Sequence, residues 1–310
     1  MIGISELPGS LEREFPTEFA RFREFLASHE EQTVSLNGHE IPYCICGQGA
    51  RTILTFAGGW GGIEMVYEII LRFEGRNRVV VVDISAFDDP DEMNRGINRV
   101  LDNEEIDRVV LMGQSLAGIL AQLFFRRHAA RVEAMVLTNT PSPKREQCRN
   151  WARLLFACLP FCLLRVLLRK KMRRLERFDQ AIPPPVEERR RFAHALLEQM
   201  TERFFTRELI DRILKLAWRF NEQGEYAADE FRAWSGRTLL ITSEDDPYHP
   251  DSGILKSVLP AAEQYVLPSG FAHLAPQICL EEFQSTIRGF LDDLGPQADG
   301  SFTRPSANPS

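Results

Sequence analysis

The chain has 310 residues, enough for one large domain with an insertion or for two small ones. Its 44% hydrophobic and 26% charged residues are ordinary for a globular protein, and a net charge of -7 argues against nucleic acid as a partner. The six cysteines form no CxxC pair and no His-Cys ligand spacing, which speaks against a zinc site. Cys44 and Cys46 would share one face of a strand and read as small core residues in a reducing compartment.

The opening MIGISELPGSLEREF lacks a basic start followed by an apolar stretch, so no secretory signal is expected. Residues 10–30 place Phe15, Phe19, Phe22 and Phe25 at helical spacing, and one amphipathic N-terminal helix is expected within residues 1–31. Two strands, 32–36 and 40–46, flank Asn37-Gly38, a strong hairpin signal. A third, 52–56, runs into the glycine-rich AGGWGG. A helix over 64–73, a buried parallel-type strand over 78–83 (VVVVD), a helix over 90–101 and a strand over 108–112 follow. Next come a helix over 118–128 and a strand over 132–138. From 141 to 235 the alternation stops and the pattern is helical and arginine-rich. It resumes with strands at 238–242 and 262–267 and a helix at 280–291. The tail, 293–310, is rich in Pro, Ser, Asn and Gly and is expected to be disordered.

Alternating strands and helices imply a mostly parallel sheet covered on both faces, with chemistry at the carboxyl ends of the strands. Four strand ends stand out. They carry Ala57-Gly58-Gly59-Trp60-Gly61-Gly62, then Gly113-Gln114-Ser115-Leu116-Ala117-Gly118. Further on come Ser243-Glu244-Asp245-Asp246-Pro247 and Gly270-Phe271-Ala272-His273. In chain order these offer backbone donors, a serine, an acid and a histidine.

That order resembles the α/β-hydrolase fold superfamily, with its nucleophile elbow. The resemblance spans most of residues 32–292. It implies an α/β-hydrolase core over 32–140 and 236–292, a mostly parallel central sheet flanked by helices, and an all-helical lid at 141–235. Ala117 stands where the family motif has its second glycine, and Ala57 where it usually has a histidine. The resemblance implies Ser115 as nucleophile, His273 as base and Asp246 as the acid that orients it. The backbone amides of Leu116 and of Gly59, with Trp60 as the alternative, would receive the oxyanion. Asp245 competes with Asp246. The family places its acid three residues beyond the small residue that ends the strand, and counting from Ser243 gives Asp246.

Each piece alone has a plainer reading. Gly-x-Ser can be a tight turn, His273 a capping histidine, and SEDDP a turn; their joint order at successive strand ends favours catalysis. His249 is a rival base, but it lies too close in sequence to Asp246 and is placed at the rim. His29, His39, His128 and His194 are read as structural. AGGWGG lacks the lysine and spacing of a phosphate-binding loop, and Asp83 has no GxGxxG before it, so both read as turn residues.

The expectation is a serine hydrolase that cleaves an ester, thioester or related acyl bond of a hydrophobic substrate, without cofactor or metal. The alternatives are an acyltransferase or cyclising enzyme and a non-catalytic binding protein on the same fold. The expected partner is a small hydrophobic acyl substrate. The apolar-then-basic stretch at 152–178 is read as a lid helix first, and as a contact for an anionic membrane surface or an acidic carrier second. Its longest apolar run is about fifteen residues and is broken by Pro160 and Arg165, short of a membrane span. The expected location is the cytoplasm, with peripheral membrane contact as an addition.

Overall fold

A computed structural model describes residues 7–57, 62–144, 159–175, 181–227, 229–259 and 261–295. Eight strands form a single sheet in the order β1-β2-β4-β3-β5-β6-β7-β8. β1 (Gln32–Leu36) and β2 (His39–Cys46) make an antiparallel hairpin at one edge. Asn37 and Gly38 at its tip have φ of 52° and 83°, the left-handed pair that such a two-residue turn requires. β2 runs antiparallel to β4 (Arg78–Asp83), and every later pairing is parallel. These strands are β3 (Thr52–Ala57), β5 (Val109–Gln114), β6 (Val132–Thr138), β7 (Arg237–Ser243) and β8 (Ala262–Leu267).

Two apolar layers explain the unbroken VVVV of β4. Val79 and Val81 join the core on one face of the sheet, Val80 and Val82 that on the other, and all four are buried. The first layer is built from α1 (Gly9–Glu14), α2 (Pro16–Ser28) and α3 (Tyr67–Phe73), joined by residues of later helices such as Phe192, Ile278 and Ile287. The second rests on α4 (Pro90–Asn103) and α5 (Leu116–His128).

Between β6 and β7 the chain forms α6 (Phe161–Leu175), α7 (Pro184–Phe204) and α8 (Arg207–Glu222). These helices straddle the sheet. α7 packs by Phe192, Leu196 and Met200 into the first layer, and α8 by Leu216 and Phe220 into the second. The segment is tied down at both ends. Asp251 accepts hydrogen bonds from the Ser142 amide (3.0 Å) and hydroxyl (2.5 Å) and meets Lys144 Nζ at 3.0 Å. At the far end, Trp234 Nε1 donates to the Val132 carbonyl at 2.8 Å. After β7 come α9 (His249–Val258), α10 (Ala275–Ile278) and α11 (Leu280–Asp293).

Three local expectations need correction. The single N-terminal helix is two, broken where Phe15 leaves helical geometry (φ -132°, ψ 61°) ahead of Pro16. Proline disfavours a helical residue before it and then serves as the first residue of the next helix. The helix expected from 118 begins at Leu116, because Ser115 itself makes the turn. The stretch after SEDDP also contains α9, whose Pro250 sits in its first turn. Gly59, Trp60, Cys148, Cys158, Arg177 and residues 296–310 lie outside the described residues.

The N-terminal helices have a task that their sequence did not disclose. Phe22 is wholly buried and meets Tyr67 edge-on at 5.0 Å and Phe192 at 5.9 Å. Phe15 meets Phe192 at 5.9 Å as well. The phenylalanine stripe therefore joins the sheet layer to α7 of the inserted segment.

Candidate active site

At the end of β5, Ser115 occupies φ 54°, ψ -115°, a left-handed backbone that a residue with a side chain rarely adopts. The surroundings hold it there. Its amide donates to the Thr138 carbonyl of β6 at 3.0 Å. Its carbonyl accepts from Thr140 Oγ1 at 3.0 Å and from the Ile119 amide, the first bond of α5, at 3.2 Å. The turn is tight enough to need glycine on both sides. A Cβ on Gly113 would stand 2.4 Å from the Ala117 carbonyl oxygen, and one on Gly118 would stand 2.5 Å from Thr140 Oγ1. Gly118 thus provides close approach one residue beyond the motif's usual second glycine.

Ser115 Oγ makes no hydrogen bond among the described residues. It stands at the amino end of α5, where the Leu116 amide has no acceptor within the helix and the helix dipole presents its positive end. An anion formed at Ser115 would meet that amide and that field together.

The acid and the imidazole come from the ends of β7 and β8. His273 Nδ1 lies 2.6 Å from Asp246 Oδ2, and the two residues are 7% and 3% exposed. Asp246 Oδ1 accepts from the Tyr248 amide at 2.7 Å, which fixes the carboxylate plane. The Tyr248 ring meets the imidazole edge-on at 5.7 Å, and burial raises its phenol pKa, keeping the hydroxyl neutral. Since the carboxylate accepts at Nδ1, that nitrogen carries a proton, and Nε2 is the nitrogen left to exchange one.

Asp245, the competing acid, has a different occupation. Its Oδ2 accepts from the amides of Gly270 (2.7 Å) and Ala272 (3.1 Å), bracing the turn before His273. Ser243 Oγ adds a bond to the Ala272 carbonyl at 2.8 Å. His249, the rival base, has its ring Nδ1 3.5 Å from Thr242 Oγ1 and its amide bonded to the Asp246 carbonyl. The Asp246 carboxylate is directed to His273 instead.

Two residues that sequence reasoning overlooked connect these strand ends. Gln114, next to Ser115, donates to the His273 carbonyl at 3.4 Å, and Asn139, beyond β6, donates to the same oxygen at 3.3 Å. Asn139 has φ 43° and its amide bonds the Ile241 carbonyl of β7 at 3.0 Å. An asparagine directly after a strand was the available signal, since asparagine tolerates the left-handed region. The histidine turn is thereby fastened to β5, β6 and β7.

Among the described residues one group gathers possible metal ligands: His29, Cys46 and Glu74, with ligand atoms within 4.8 Å of one another. His29 Nε2 already bonds Glu74 Oε2 at 2.8 Å, and His29 Nδ1 bonds the Phe25 carbonyl at 3.0 Å. The group lies between α2, α3 and β2, and none of its residues belongs to the Ser115 arrangement.

A strained serine at a strand-helix turn, on a sheet of this order, defines an α/β hydrolase architecture. Residues 56–276, more than two thirds of the chain, match the alpha/beta hydrolase fold family, and the chain belongs to it. Maspardin from Rattus norvegicus is 28% identical over 111 residues, covering 35% of this chain and 42% of maspardin. The chain therefore matches less than half the length of that relative. Among solved structures, Est816, described as an N-acyl homoserine lactone degrading enzyme, superposes with a TM-score of 0.63 at 19% identity. That alignment covers 84% of this chain and all of Est816. A thermophilic esterase from Thermogutta terrifontis gives 0.62 at 18% identity, covering 86% of this chain and 99% of the esterase.

Proposed function

We propose that the protein is a serine hydrolase acting on an ester, thioester or related acyl bond of a hydrophobic substrate. One observation carries this reading: a buried Asp246–His273 pair at 2.6 Å, in a turn bonded to the residue beside a strained serine. The esterase and lactone-degrading activities named for the two structural neighbours agree with it.

In this mechanism Ser115 Oγ attacks the acyl carbonyl while His273 Nε2 takes its proton. Asp246 holds the imidazole in the tautomer whose Nε2 is free and stabilises the imidazolium that forms. The Leu116 amide is one oxyanion donor, and the amide of Gly59, or alternatively of Trp60, is the second. Each such donor is worth about 3 kcal/mol in the transition state. The imidazolium then returns the proton to the leaving group, and water attacks the acyl-enzyme by the same route. The helices between β6 and β7 act as a lid whose apolar residues select the acyl group.

A fluorophosphonate probe tests the nucleophile. Wild type is expected to be labelled at Ser115, with labelling abolished in Ser115→Ala. Equal labelling of both proteins would remove Ser115 from its role.

A further inference from the structure

α6 presents an unusual face to solvent. Leu163, Val166 and Leu167 are 43%, 58% and 43% exposed, the most exposed aliphatic residues among those described in the inserted helices. Their spacing of three and four residues places them in one stripe, and exposed Lys170 continues it by one more turn. The opposite side of the helix is anchored: Leu164 is wholly buried with Phe205 and Ile210. The start of α6 is fixed by Arg207 Nη1, which donates to the Leu159 carbonyl at 2.8 Å. The stripe is thus held outward by the packing behind it.

The same helix concentrates positive charge. Its sequence carries Arg165, Arg169, Lys170, Lys171, Arg173 and Arg174 and no acidic residue, in a chain whose net charge is -7. Aliphatic exposure and a run of cationic residues on one helix suit an interface that is apolar within and anionic at its border. Among the described residues no helix is long and apolar enough to cross a membrane, so such contact would lie in the plane of the surface.

We propose that α6 docks the protein on the surface of an anionic phospholipid bilayer. Leu163, Val166 and Leu167 enter the boundary between headgroups and acyl chains, and Lys170 meets the anionic headgroups. An acidic protein would satisfy the cations but offers no general reason for three bare aliphatic side chains beside them. α6 packs beside the turn Ala272–Leu274, which carries His273. Docking would therefore place the strand ends around Ser115 near the lipid; this last consequence rests on the hydrolase reading.

The experiment is flotation of the full-length protein with phosphatidylcholine vesicles, with and without about one third phosphatidylserine. Wild type and Ser115→Ala are expected to float equally with the anionic vesicles and to stay largely free with the neutral ones. The triple variant Leu163→Gln/Val166→Gln/Leu167→Gln should lower partition by roughly tenfold or more. Lys170→Glu should lower it by several fold. Because these side chains face solvent, both variants should keep the wild-type melting temperature, which separates lost docking from lost folding. Failure of wild type to float with anionic vesicles overturns the proposal. So does flotation unchanged in the triple variant, or binding of polyglutamate that displaces vesicles and ignores the triple variant. Flotation that persists in a protein no fluorophosphonate can label would defeat the hydrolase reading and leave the docking intact.

Discussion

On the proposed mechanism, replacing Asp246 by asparagine should nearly abolish turnover while leaving the fold in place. The two carboxylate oxygens of Asp246 face different partners: Oδ1 accepts from the Tyr248 amide at 2.7 Å, and Oδ2 faces His273 Nδ1 at 2.6 Å. An asparagine must keep its carbonyl oxygen toward the Tyr248 amide, since an NH2 group there would oppose another N–H. Its NH2 group is then turned toward His273. The imidazole would accept at Nδ1 and carry its proton on Nε2, where it cannot receive one from Ser115. A wrong tautomer in an otherwise intact triad costs a factor of about 10⁴ in kcat, equivalent to about 5 kcal/mol of transition-state stabilisation. Asp245→Asn is the control. Its carbonyl can still accept from both Gly270 and Ala272, so about 1 kcal/mol of stability and less than about tenfold in rate are at stake. Initial rates on a short p-nitrophenyl ester and the rate of fluorophosphonate labelling would read both variants. An Asp246→Asn protein within about tenfold of wild type would refute the tautomer argument. A severe loss in Asp245→Asn alone would exchange the roles of the two acids.

Three further substitutions probe the supports. Gly118→Ala places a Cβ 2.5 Å from Thr140 Oγ1, the group that donates to the Ser115 carbonyl, so it should cost about 1–3 kcal/mol in denaturant unfolding and slow labelling of Ser115. Phe22→Ala should cost about 3–5 kcal/mol in the same assay, a core-sized loss from a residue near the chain start; a loss below about 1 kcal/mol would mean that α2 is not docked. Glu64 is 1% exposed, accepts from the Gly62 amide at 3.2 Å through Oε1 and, among the described residues, has no partner for Oε2. Burial raises its carboxyl pKa above the ordinary 4.5, so at pH values between the unfolded and the folded pKa the folded chain binds a proton that the unfolded chain releases. Its contribution to stability is full below about pH 4.5 and is lost as pH rises through the folded value. Glu64→Gln keeps the acceptor for Gly62 and should therefore flatten the decline of melting temperature with rising pH relative to wild type; an unchanged pH profile would count against a protonated Glu64.

Much of the fold was legible because its signals were local. Asn37-Gly38 required a left-handed pair, four consecutive valines required a strand buried on both faces, and both are where the sequence put them. The break at Phe15-Pro16 was also local, but the phenylalanine period runs across it and masked it. What Phe15 and Phe22 pack against could not be read at all. Phe192 lies far along the chain, and helical spacing fixes which side chains share a face without naming the partner of that face.

The site shows the same limit more sharply. Chain order identified a serine, acids and a histidine, but Asp245 and Asp246 are chemically identical neighbours, and only family spacing separated them. In space they diverge because successive residues of a turn point in different directions. One carboxylate faces the imidazole, and the other faces the amides that shape the imidazole's loop. One task uses a carboxylate facing an imidazole and the other only an acceptor oxygen facing two amides, so the adjacent acids serve two positions. The same reasoning covers Gln114 and Asn139: each is an unremarkable amide in sequence, yet both converge on the one carbonyl of His273. In the proposed mechanism His273 exchanges protons, a task that needs its backbone held as firmly as its ring. The turn after β8 is fastened to β5 and β6 through contacts separated by more than a hundred residues and to β7 through one much nearer in sequence, and no spacing rule could have predicted them.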